Sequence, residues 1–174
     1  MLFNSTKHHE QTIRKEAIWT LSNITAGTPS HIENIIENHD YLEVLFYVGI
    51  NDSLEVIFND FFERLNFLKK VRREVAFTFF NALKNANQEQ VRALIDKGMV
   101  EYFGKLLEEE GDMNIPGIGL RGIKEMLSTG AICWSILEEE SNIMMAIERL
   151  QNSENLQIAE LTCGVLDFAG DAFI

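Results

Sequence analysis

Two stretches of this chain repeat one another without a gap. IRKEAIWTLSNI, residues 13–24, aligns on VRREVAFTFFNA, residues 71–82. Each carries an acid, a ring and an amide at three- and four-residue steps: Glu16, Trp19 and Asn23, then Glu74, Phe77 and Asn81. Such steps lie on one face of a helix. Repetition constrains the fold more than composition does, because a recurring unit must bury its apolar face against copies of itself.

The surrounding pattern is helical throughout. In 11–26, Ile13, Ala17, Leu21 and Ile24 follow a helical period and are expected to face the core. AGTPS, 26–30, breaks that helix, with Gly27 as its expected C-terminal cap. Ser30 is the expected N-cap of a short helix over 31–39, with Glu33 in the capping-box position, and another helix follows over 40–49. The order recurs as helices over 71–86, 87–98 (closed by Gly98) and 99–111. A weaker third copy starts at Ile115 with IPGIGLRGIKEMLSTG, and ESNIMMAIERLQNS and ENLQIAELTCGVLDFAG predict two closing helices.

A long helix, a short one and a second long one in units of about 40 residues describe an armadillo-type array. The expectation is therefore all-α, a right-handed superhelix (α-solenoid) of about four units, approximately 1–53, 54–110, 111–147 and 148–174. The first two copies are 58 residues apart, an excess that falls on LEVIFNDFFERLNF, 54–67. Leu54, Ile57, Phe58, Phe61, Phe62 and Leu65 recur there at three- and four-residue steps. The segment is expected to be an elongated amphipathic helix packed on the array, or a loop insertion.

The formal net charge is -12. That disfavours nucleic acid and anionic membrane surfaces as partners, since both are bound through Lys and Arg, and it favours a basic partner. No apolar run of 18 residues predicts a membrane span, and MLFNSTKHHEQ lacks the apolar region of a secretory signal. Cys133 and Cys163 have no CxxC or zinc spacing and are expected to be buried free thiols. His8, His9, His31 and His39 form no HExxH arrangement, and GIGLRG, 117–122, follows no strand that would make it a phosphate loop. The acidic triplets 108–110 and 138–140 read as solvated helix ends. No enzyme, metal or cofactor is expected.

A tryptophan in a helix is ordinarily core, and an amide near it ordinarily serves its own backbone. Recurrence of the acid–ring–amide spacing in an acidic chain favours a binding stripe instead. An Asn side chain has donors and an acceptor that can hold the N–H and C=O of one residue in an extended peptide. An indole face attracts a Lys or Arg cation and packs on its alkyl stem, and a carboxylate takes the charged head.

IRKEAIWTLSNITAG, 13–27, resembles the Trp-x-x-x-Asn repeat of the importin alpha (karyopherin alpha) family, and VRREVAFTFFNALKNANQEQVRALIDKGMVEYFGKLL, 71–107, resembles the repeat that follows it. GIKEMLSTG, 122–130, and RLQNSENLQIAELTCGVLDFAG, 149–170, resemble the family's C-terminal repeats more loosely. The likeness implies the seventh to tenth armadillo repeats of a nuclear-import adaptor working in cytoplasm and nucleus. Trp19 and Asn23, with Ser22 between them, match the seventh repeat, and Glu74, Phe77 and Asn81 match the eighth. In the family these positions form the minor site for basic nuclear localisation signals. The implied partners are basic cargo, the nuclear export receptor at the C-terminal repeats, and importin beta where its N-terminal binding arm exists. Phe77 stands where the family has Trp, and Arg121 and Glu125 stand at the Trp and Asn positions of the next unit. The binding arm and the major-site repeats have no counterpart here, so a fragment or reduced form of a longer protein is expected. An armadillo scaffold that has lost signal recognition is the alternative.

Overall fold

A computed structural model describes residues 5, 8, 10–37, 42, 45, 46, 61–109, 112 and 114–170. All regular structure among them is helical: α1 (Gln11–Thr25), α2 (Pro29–Glu37), α3 (Phe61–Asn85), α4 (Gln88–Asp96), α5 (Met99–Leu107), α6 (Asn114–Ser128), α7 (Trp134–Glu139), α8 (Ser141–Gln151) and α9 (Leu156–Gly170). The chain divides into two compact units, Met1–Gln90 and Val91–Ile174.

In the first unit α1 packs along α3, and α2 touches both. Ala17 and Leu21 are buried as their spacing predicts, together with Ile18, which that spacing leaves out. Ile24 is only half-buried, and Ile13 is 40% exposed, contrary to its expected place in the core. Periodicity identifies a face, whereas burial also requires a neighbour against it. Arg14 is buried and donates from Nη1 to the His8 carbonyl at 2.7 Å.

The turn after α1 differs in detail from its expected form. The Ala26 N–H closes α1 onto the Ser22 carbonyl at 3.0 Å. Gly27 does not have a positive φ; it is small because a Cβ there would collide with the His31 ring. Pro29 opens α2, a position where its missing N–H costs nothing. The Thr28 N–H then donates to His31 Nδ1 at 3.3 Å. Ser30 therefore lies inside the helix rather than capping it, and Glu33 instead accepts from Gln90 Nε2.

α3 is one unbroken helix of 25 residues, so the backbone of 61–67 extends the helix of the second copy. The remainder of the insertion, 54–60, and the side chains of 61–69 lie outside the described residues, as does most of the helix expected over 40–49. Within that stretch Leu42, Leu45 and Phe46 are helical; both leucines are buried, and the Phe46 ring stacks on Phe79 at 4.6 Å. A reciprocal capping box starts α4: Gln90 N–H donates to Asn87 Oδ1 at 2.9 Å, and Asn87 N–H donates to Gln90 Oε1 at 3.1 Å. Gln90 Nε2 also reaches the Pro29 carbonyl at 3.0 Å, tying the starts of α2 and α4 together. Gly98, at φ 97°, ends this element as its sequence position predicts.

In the second unit α6 packs on α5 and on α9. Its glycines permit the approach: a Cβ on Gly122 would meet the Phe103 ring, and one on Gly119 would meet Leu107 at 2.8 Å. α5 stops at Leu107 rather than running to 111. α7 is a short helix that the periodic reading passes over. Cys133 and Cys163 are free, as expected, but exposed rather than buried. Ser135 hydrogen-bonds Cys133 Sγ at 3.0 Å and holds its pKa below the usual thiol value.

Candidate functional site

The two sequence copies meet side by side in the first unit. Asn81 Nδ2 on α3 donates to the Ser22 carbonyl and to Ser22 Oγ on α1, both at 3.3 Å. Asn85 Nδ2, one turn on, donates to the Thr25 carbonyl at 3.4 Å, and to the Asn81 carbonyl at 2.8 Å. Both partners advance together along their helices, so α1 and α3 run parallel. The offsets across the seam are 59 and 60 residues, within two of the sequence repeat. Equivalent helices of successive copies thus lie against each other, which sets the two stripes abreast.

On α1 the stripe faces solvent. Glu16 and Asn23 are exposed, and Trp19 is 52% exposed, with its large apolar surface uncovered by the chain's own core. Asn23 Nδ2 donates to the Trp19 carbonyl at 3.1 Å, one turn back on the same helix. On α3, Glu74, Phe77 and Asn81 are half-buried. Ser22, singled out by resemblance, is buried at 8% exposure and serves the seam: its carbonyl also accepts from Thr25 Oγ1 at 2.9 Å. Thr25 and Asn85 belong to this seam and sequence reasoning did not single them out. Asn85 lies one turn after Asn81, a helical-spacing signal that was available.

Each stripe amide has two hydrogens and one acceptor. The hydrogen bonds of Asn23 and Asn81 use donor capacity toward the protein and leave Oδ1 with no partner among the described residues. A row of acceptors beside two ring faces is suited to an extended chain that presents N–H groups and cationic side chains. On the flank of α1 away from the seam, Ser5, Thr12, Ile13, Glu16, Ala17 and Thr20 line an open hollow of about 290 Å³. Its floor includes the exposed Ile13. No group of three or more metal-binding side chains occurs among the described residues, and no helix among them is long and apolar enough to cross a membrane.

Comparison with solved structures places this architecture. A designed armadillo repeat protein in complex with the peptide (KR)4 superposes with a TM-score of 0.74 at 22% identity, covering 95% of this chain and 62% of that one. A second designed armadillo repeat protein gives 0.71 at 20% identity over the same shares of the two chains. The fold is that of the armadillo repeat proteins. No family model matches the chain. Importin subunit alpha-4 of Arabidopsis thaliana is 28% identical over 173 residues, covering 93% of this chain and 29% of that protein. Importin subunit alpha-5 of the same plant is 25% identical over 173 residues, covering 95% and 30%. Within the armadillo class the chain is thus distantly homologous to importin alpha over nearly its whole length, and it spans less than a third of these curated relatives.

Proposed function

We propose that the α1–α3 surface reads extended basic segments, as the signal-binding module of a nuclear-import adaptor. The observation that carries this reading is the exposure of Trp19 on one stripe with Glu16 and Asn23, abreast of the equivalent stripe on α3. Asn23 and Asn81 would meet the peptide backbone, Trp19 and Phe77 would flank a Lys or Arg stem, and Glu16 and Glu74 would take charged heads. Ser22 supports Asn81 from beneath. The net charge of -12 and the (KR)4 peptide held by a neighbour of the same fold support a basic ligand. On this reading the chain is an array of about four repeats shuttling between cytoplasm and nucleus. Its partners are basic cargo and, at the C-terminal repeats, the nuclear export receptor; importin beta joins where the binding arm is present.

Titration of a labelled (KR)4 peptide into wild type and Trp19→Ala tests the proposal. Truncating a central aromatic anchor is expected to cost about 2 kcal/mol of binding, and wild-type affinity is expected to fall as salt rises. Salt-insensitive or absent binding, or equal binding by the variant, favours the scaffold reading. That reading draws on Phe77 in place of a larger ring and on the engagement of Asn81 with Ser22.

A further inference from the structure

Lys15 lies two turns before Ser22 on α1, and Glu74 lies two turns before Asn81 on α3. Seven residues complete nearly two turns, so each pair occupies one stripe about 10.5 Å apart along its helix. Ser22 and Asn81 touch across the seam of two parallel helices. The same register therefore sets Lys15 on α1 and Glu74 on α3 abreast at a common level along the two helices. Both are half-buried, and neither has an ion-pair partner within 4.0 Å among the described residues. Lys15 also precedes Trp19 by one turn on the same helix, so the two residues are neighbours along the helix surface.

We infer that Lys15 sets the sequence preference of this surface: the surface is bipolar and takes an extended segment in which an acidic side chain stands two residues from a basic one. The inference rests on the peptide-binding reading above. An all-basic ligand can satisfy Glu74, but it must then set a cation against Lys15. Adjacent packed helices are about 8–10 Å apart, and alternate side chains of an extended chain are about 6.8 Å apart on one side. A segment crossing the helices thus presents residues i and i+2 to the two helices. A carboxylate over α1 answers Lys15, and an ammonium or guanidinium over α3 answers Glu74.

The test uses the full chain, wild type and Lys15→Gln, with two labelled peptides. One is (KR)4; the other carries Glu in place of its third Lys, so that a Lys stands two residues away in either direction. Circular dichroism first establishes equal helicity of the two proteins, as Gln, a helix former comparable to Lys, permits at this half-buried position. Lys15→Gln is expected to bind (KR)4 more tightly and the Glu-containing peptide more weakly than wild type does. The affinity ratio of the two peptides should change by about fivefold between the proteins, the scale of one partly exposed charge contact. An unchanged ratio with both peptides bound overturns this inference and leaves the binding reading standing. Failure of wild type to bind either peptide overturns both.

Discussion

Two parallel helix pairs, one in each unit, solve the same packing problem with different chemistry. Between α1 and α3 the seam is built from Ser22, Thr25, Asn81 and Asn85, with Trp19 and Phe77 on the stripes beside it. Between α6 and α9 it is built from small residues: a Cβ on Gly117 would meet Ile158 at 3.3 Å, and one on Gly164 would meet Lys124 Nζ at 2.8 Å. Both seams hold helices together, so the fold does not require the amides and rings. Where Trp19 and Phe77 stand on the first pair, Arg121 stands on α6. The polar seam costs stability relative to a greasy one, since each buried amide must find a partner. On the binding reading proposed above, that cost is offset by what the surface touches.

The tryptophans make the same contrast within single side chains. Trp134 on α7 is 5% exposed, and its indole N–H donates to Glu138 Oε1 at 3.0 Å. Trp19 is 52% exposed. The largest expected effect is therefore in the second unit: Trp134→Ala should remove about 3–5 kcal/mol of stability through cavity formation. Trp19→Ala should move stability by no more than about 0.5 kcal/mol. Denaturant midpoints followed by circular dichroism measure both. Equal losses would erase the distinction between a structural and a ligand-directed tryptophan.

A smaller effect tests the polar seam itself. Asn81→Ala removes two long hydrogen bonds to Ser22, at 3.3 Å each, and is expected to destabilise the first unit by about 1 kcal/mol. The Ser22 carbonyl keeps the donors Ala26 N–H and Thr25 Oγ1, which limits the loss. Hydrogen exchange in α1 and α3 should quicken while protection in α6 and α9 stays as in wild type. Uniform quickening in both units would contradict their treatment as separate compact bodies.

The sequence made the repeat and its helices legible, because a gapless alignment and a helical period are local properties. It identified Ala17 and Leu21 as core for the same reason. Ile13 shares their period, yet it lines the open hollow and is 40% exposed; a local pattern does not report what packs against a face. The Pro29 start of α2 was legible from Thr-Pro, but the Ser30–Glu33 spacing competed with it. The stripe residues were legible as a pattern. Their division into exposed Glu16, Trp19 and Asn23 and half-buried Glu74, Phe77 and Asn81 was not. That division follows from a seam joining residues 59 and 60 positions apart.

The finest expected difference lies between the two rings. Phe77 offers a smaller and less electron-rich face than an indole, so its pocket should hold a cation more weakly than that of Trp19. Phe77→Trp is expected to tighten (KR)4 binding by about 0.5 kcal/mol, the lower range for an exposed cation–π contact. The gain should persist in high salt better than a gain made by adding a carboxylate, because ring contact also buries the alkyl stem of the ligand. Isothermal titration at two salt concentrations separates these contributions. Phe77 is half-buried, so the larger ring must turn outward to fit. If it turns inward instead, the variant loses stability without gaining affinity. That outcome would make residue 77 part of the packing between α1 and α3 and leave Trp19 as the sole aromatic anchor on this surface.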